Sequence, residues 1–255
     1  MSAPPSAESG DSDAREQSFL SHLVELRARL LRAVLAVLGV FVCLIPFANR
    51  LYALLAAPLL EKLPQGTKMV AIDVASPFFV PVKLAFFAAL MLAMPVVLYQ
   101  VWAFVAPGLY RHEQKLARPL LVSATVLFYA GCAFAYFLVL PVVFGFLTGV
   151  APAGVDTSTD IGRYLDFVLV IFLAFGFSFE VPVAVVILVA LGWVTVPQLK
   201  AARSYVIVAA FIVAAVITPP DVISQLMLAI PMCLLYELGL IAARGIKPRA
   251  ASPEG

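Results

Sequence analysis

Long apolar runs separated by short polar breaks dominate the chain. Apolar runs cover positions 28–47, 80–104, 119–147, 165–191, 204–217 and 222–242. A transmembrane helix needs about 20 mainly apolar residues, so each run is a candidate span. The fifth is short: at ~1.5 Å rise per residue it reaches about 21 Å, against a hydrocarbon core of ~30 Å. Either its helix extends back toward Gln198, or the bilayer thins around it. The sequence Thr218-Pro219-Pro220-Asp221 then separates it from the sixth run, because two prolines in succession do not continue a helix. The pattern predicts an all-α membrane protein of six transmembrane helices, with short fifth and sixth spans.

The flanking segments follow the same logic. Residues 1–17 are polar and carry no apolar periodicity, which predicts a disordered tail. They lack the basic start and early apolar core of a cleavable signal peptide. From Ser18 onward Phe19, Leu23, Leu26 and Leu30 recur at helical spacing. His22, Glu25, Arg27 and Arg29 lie mostly off that face, so an amphipathic helix should meet the water–lipid boundary first. The membrane domain is expected over 18–243, with a second tail over 244–255. The loop over 48–79 holds its own amphipathic piece, 51–63, interrupted by Pro58. The loop over 148–164 is turn-like. Gly145 and Gly149 form a GxxxG spacing, a weak sign of helix packing. No matching broken helices mark the two halves as a repeat.

Composition narrows the class. The chain is 63% hydrophobic and 13% charged, where soluble domains run near 45–50% and about 25%. An ordinary water-soluble enzyme and bulk disorder are both excluded. The net charge of +2 gives no argument for nucleic acid. Placement matters more. Arg15, Arg27, Arg29, Arg32, Arg111, Lys115, Arg118, Lys200, Arg203, Arg244, Lys247 and Arg249 fall on one side of the spans. They outnumber Arg50, Lys62, Lys68, Lys83 and Arg163 on the other, which predicts cytoplasmic termini. Cys43, Cys132 and Cys233 are far apart within apolar runs, with no disulfide or zinc spacing. Both histidines lie outside the spans, and no Walker A, GxSxG, HExxH or dinucleotide motif is present. No cofactor and no catalytic site are expected.

Polar residues inside the runs stand out. Glu180 sits in Phe-Ser-Phe-Glu-Val-Pro-Val, near the middle of the fourth run. A charge at a helix centre costs roughly 2.5–3.5 kcal/mol on insertion scales and marks function by default. The alternative is a protonated acid hydrogen-bonded inside the bundle. Pro182 can kink the helix beside it. Glu237 is close enough to the cytoplasmic end of the last run to snorkel. Gln225 and Asp221, about one turn apart, could form a polar patch at the outer mouth of the last hairpin. Glu25 and Glu113 lie among basic residues at the cytoplasmic surface. Two accounts fit them: a solvated salt-bridge network of little energetic worth, or two acidic anchors for a cationic ligand. A competing class is a proton-coupled small-solute transporter with Glu180 and Glu237 as its relay.

Five motifs, in order, carry a family resemblance. They are His-Leu-Val-Glu-Leu-Arg-Ala-Arg-Leu (22–30), Asp-Val-Ala-Ser-Pro-Phe (73–78) and Tyr-Gln-Val-Trp-Ala-Phe-Val-Ala-Pro-Gly-Leu-Tyr (99–110), then Phe-Ser-Phe-Glu-Val-Pro (177–182) and Ile-Thr-Pro-Pro-Asp (217–221). Over 18–243 the chain resembles the TatC family, the large polytopic subunits of the twin-arginine protein translocase. The resemblance implies a receptor in the bacterial inner membrane that binds twin-arginine signal peptides of folded preproteins at the cytoplasmic face. It also implies assembly with single-span TatB and TatA, self-association in a multimeric complex, and transport driven by the proton-motive force. The family's signal-recognition glutamates fall on Glu25 and Glu113, with His22 and Arg27 beside the first. Its buried glutamate falls on Glu180, implied to meet a polar group of a partner helix. Gln225 belongs to the implied docking edge and Asp221 to the same outer turn. A carboxylate suits a guanidinium because the fork of donors is matched by two oxygens. Arg27 and Arg29 either hold Glu25 in place or repel the wrong ligand. Gln114 departs from relatives that are more basic there.

Overall fold

Hydrocarbon offers the backbone no hydrogen-bond partners, so a chain this apolar satisfies its amides internally as helices. The computed structural model describes residues 8–60, 70–105, 114–149, 160–218 and 222–245. Every regular element among them is helical. The tail positions 1–7 and 246–255, the loop positions 61–69 and 150–159, and the positions holding Glu113 and Asp221 lie outside the described residues.

The first helix, α1, runs Glu8–Leu44 and passes through a 3-10 turn, Ile45–Phe47, into α2, Ala48–Leu60. Next come α3, Ser76–Val105, and α4, Gln114–Phe134, which widens into a π-turn, Ala135–Val139, before α5, Leu140–Gly149. Then follow α6, Ile161–Ser178, and α7, Val181–Ala190. The last three are α8, Val196–Ala201, α9, Arg203–Ile217, and α10, Val222–Ala243. Among the described residues, five stretches are long and apolar enough to cross a membrane: Leu23–Leu55, Ser76–Phe104, Arg118–Phe146, Ile161–Ala190 and Val222–Ala243.

Three expectations change. Helix α1 begins at Glu8, inside the stretch 1–17 expected to be a disordered tail. The sixth run is not short, because α10 has 22 residues and continues through Pro231. The fifth run is short, and it does not extend continuously to Gln198. Thr195 and Gln198 form a capping box that starts α8 as a separate helix, with Pro197 in its first turn. That leaves α9 with 15 residues, about 22 Å at the helical rise.

The fourth run is broken where Pro182 predicts. Phe179 and Glu180 form a turn between α6 and α7, with Glu180 N–H donating to the Phe177 carbonyl. Pro182 then falls in the first turn of α7, where a missing N–H costs nothing. Gly192, at φ 71°, follows α7 in the left-handed conformation that ends helices.

Side-chain size decides how closely the helices pack. The pairs α1 with α3, α4 with α6, α7 with α10, and α9 with α10 carry much of the contact. On α4, a Cβ at Gly131 would lie 2.5 Å from the Phe175 carbonyl oxygen of α6. On α10, a Cβ at Gly239 would lie 2.9 Å from Pro182 Cα of α7. Small residues at these two points let backbones meet, as membrane packing requires. Gly145 and Gly149 have nothing within 4 Å of an added Cβ, so their GxxxG spacing marks no close backbone approach of that kind. The main core joins Val139, Leu140 and Val143 to Tyr164, Ile171 and Phe175, closed by Ala214 and Leu228. A second joins Val185 and Val189 to Tyr236 and Leu240. By contrast α1 leaves Leu30, Leu31, Leu35 and Val42 exposed.

Two ends result: a near end, where α1 starts, and a far end. Tyr236 OH donates to the Leu199 carbonyl at 2.7 Å at the near end. At the far end Tyr164 OH donates to the Leu55 carbonyl at 2.9 Å. There Asp160 caps α6 by accepting Arg163 N–H at 3.1 Å, and its other oxygen accepts Ile72 N–H at 3.2 Å. Ile161 N–H donates to the Val70 carbonyl. The backbone amides of Arg163 and Ile72 hold the Asp160 carboxyl below its usual range.

Gly239→Val should force α10 away from Pro182, costing about 1–3 kcal/mol as an overpacked contact. A lower melting temperature in detergent would show it, while Gly149→Ala should leave melting unchanged. The Asp160 contribution is present above its unfolded pKa near ~3.9 and is lost as pH falls through the lower folded value. The stability difference between the native chain and Asp160→Asn should therefore shrink as the pH drops below about 4. A difference that stays constant down to acid would contradict this.

Candidate functional site

Polar groups in this bundle divide by whether the chain itself satisfies them. At the near end Glu25 and Arg29 lie one turn apart on α1, with the acid N-terminal to the base, the favourable order. Arg29 Nε donates to Glu25 Oε1 at 3.0 Å and Nη2 to the same oxygen at 2.5 Å. The Glu25 side chain is 37% exposed and that of Arg29 only 19%. Arg27 is exposed. Beside the pair, a groove of about 240 Å³ runs between α1 and α3, lined by Leu26, Arg29, Leu30, Ala33, Val97, Gln100, Val101 and Phe104. Gln100 Oε1 is buried and accepts no hydrogen bond from the described residues. The side chain of His22, like Glu113, is outside the described set.

Midway along the bundle, Glu180 occupies the turn between α6 and α7. It is partly buried, and its Oε1 is enclosed without a hydrogen-bond partner. The nearby Ser178 hydroxyl is committed to the Ala174 carbonyl at 2.5 Å. The acid hydrogen-bonded inside the bundle thus finds no donor or acceptor for this oxygen among the described residues. Its sequence neighbours Phe177, Ser178 and Val181 line an apolar groove of about 420 Å³, closed by Val213 and Ile217 of α9 and Met232 of α10.

The remaining predicted residues are used within the chain. Glu237 is part-exposed, and its Oε2 accepts Arg203 Nη2 at 2.6 Å. It pins α10 to the start of α9, so the cation it meets belongs to the chain. Gln225 Nε2 donates to the Phe211 carbonyl at 3.3 Å, tying α10 to α9. Asp221 is outside the described residues, so the patch it was expected to form with Gln225 has no described geometry.

Two features escaped the sequence reading. Lys83 of α3 forms an ion pair with Asp166 of α6 across the far half of the bundle. Opposite charges within two apolar runs were the available signal. Gln100 was read only as part of a motif, although an amide inside an apolar run has to be satisfied or left orphaned. Among the described residues no cluster of His, Cys, Asp and Glu could hold a metal.

Comparison with known proteins places this arrangement. The family model of the Sec-independent protein translocase protein (TatC) matches residues 21–231. The chain is 56% identical over 228 residues to the Sec-independent protein translocase protein TatC of Escherichia coli (strain K12), covering 89% of this chain and 88% of that one. It is 54% identical over 247 residues to TatC of Halothiobacillus neapolitanus, covering 95% of this chain and 68% of that one. A crystal structure of the twin-arginine translocase receptor TatC superposes with a TM-score of 0.77 at 37% identity, covering 88% of this chain and 98% of that one. A multi-pass helical chain with this identity over nearly its whole length belongs to the TatC family of protein translocase subunits.

Proposed function

We propose that this translocase subunit is the receptor for twin-arginine signal peptides, and that it reads them at the near end with Glu25 and Glu113. The observation that carries the reading is Glu25 itself. Its carboxylate is partly open to solvent, and it already accepts two donors from one guanidinium. An extended peptide points two neighbouring arginine side chains apart, so two separated carboxylates suit it. His22 and Arg27 flank the first of them. The crystal structure similar to this chain is named a twin-arginine translocase receptor, which supports the assignment.

In this reading α9 is the short fifth of six spans. The basic residues at the near end put both termini in the cytoplasm of a bacterial cell, and the membrane is the inner one. The partners are the single-span TatB and TatA, and the proton-motive force drives transport. Glu180 meets a polar group of a partner helix, because the chain leaves Oε1 without one of its own. The α9–α10 edge with Gln225 and the outer turn with Asp221 complete the docking face, and several copies assemble. A proton relay through Glu180 and Glu237 is disfavoured, since Glu237 is already held by Arg203.

Glu25→Gln or Glu113→Gln should each weaken binding of a twin-arginine peptide by about 10- to 100-fold, as loss of a charge-assisted hydrogen bond does. Titration of a fluorescent peptide against the purified chain measures it, and retained affinity in the double variant would sink the reading. Glu180→Leu should leave the melting temperature equal or higher, since it removes an unsatisfied buried oxygen. It should also reduce mid-membrane crosslinking to TatA or TatB while peptide binding survives. A variant that loses only stability would assign Glu180 to folding instead.

A further inference from the structure

We infer that Arg29 is a tethered occupant of Glu25, standing where the peptide guanidinium binds, and that Gln100 is the acceptor it moves to when the peptide arrives. The inference rests on the receptor reading of Glu25.

Three observations lead to it. First, the contact that Arg29 makes is the one the ligand needs. Two donors of one guanidinium converge on Glu25 Oε1, at 3.0 and 2.5 Å. An incoming arginine cannot make the same contact until this one yields. Second, the pair is local to one turn of α1, so the ion pair itself joins no two helices. Third, the released guanidinium has a destination. Arg29 and Gln100 line the same groove between α1 and α3. The Gln100 oxygen is buried there with no donor, a condition rare enough in folded proteins to require a reason. The rest of the lining is apolar, and the groove holds about 240 Å³ of space. A guanidinium carries five donors and never deprotonates, so Gln100 Oε1 is the natural second station.

The exchange sets affinity and not selectivity. Every ligand must displace the same forked donor, so the cost of moving Arg29 falls equally on a guanidinium and an ammonium. The preference for arginine comes from the fork of donors that a guanidinium offers Glu25 and an ammonium lacks.

The test uses the full chain in nanodiscs with two probes, a twin-arginine peptide and its twin-lysine counterpart. Arg29→Gln should tighten the twin-arginine peptide by about two- to fivefold, the worth of a modest ion pair. It should tighten the twin-lysine peptide by the same factor, leaving the ratio between them unchanged. Arg29→Lys should fall between native and Arg29→Gln. Arg32→Gln removes the same charge from an exposed site one turn on and should change affinity less. Gln100→Leu should weaken the twin-arginine peptide in the native chain and have no effect in the Arg29→Gln background. If Arg29→Gln weakens binding, Arg29 positions Glu25 and the exchange is overturned. Equal effects of Gln100→Leu in both backgrounds would overturn it too. Glu25→Gln in the same assay separates the two levels. Unchanged affinity there removes the receptor reading itself, whereas lost affinity with a failed exchange removes only this inference.

Discussion

An unpaired polar group in hydrocarbon has no water to fall back on, and the whole molecule is arranged around that fact. It makes every described regular element a helix. It also forces each charge inside the bundle to be paired or to be conspicuous. Lys83 with Asp166 and Arg203 with Glu237 obey the first option, each joining two helices. Glu180 takes the second. The same constraint thus separates residues that hold the bundle together from residues left for another molecule.

Packing supplies the shape in which these residues appear. Water gives apolar helices no reason to associate with one another once they are in lipid, so close contact must come from shape. Gly131 against Phe175 and Gly239 against Pro182 are the places where backbones come nearest. Pro182 has two roles in this. It starts α7 after the turn, and it forms the surface that Gly239 receives. The turn that results puts Glu180 at a helix junction, where its carboxyl leaves the ladder of packed apolar side chains.

Much of this was legible in the chain. Apolar run length pointed to five stretches that are long enough to cross a membrane, and Pro182 located the break in the fourth run. The isolated Glu180 was visible because a single acid in a run of Phe and Val has no local explanation. Other features were out of reach because they depend on distance across helices. Nothing in the spacing of Lys83 and Asp166, or of Arg203 and Glu237, says that they touch. Gln198 was read as a possible extension of the fifth span, while its side chain closes a capping box instead. The sixth span was expected to be short, although α10 has 22 residues and runs through Pro231. Glu25 was recognised as a candidate and Arg29 as a residue that either holds it or repels a wrong ligand; two hydrogen bonds to one oxygen show that Arg29 holds it.

Function in this account sits at the boundary, where a carboxylate is dry enough to strengthen an ion pair and open enough to exchange it. The most direct test is where the ligand lands. A twin-arginine peptide carrying a photo-crosslinker next to its arginine pair should label α1 around Glu25 and the segment holding Glu113. Excess unlabelled peptide should abolish that labelling. Labelling concentrated instead at the opposite end, around Asp73 or Asp160, would contradict the account.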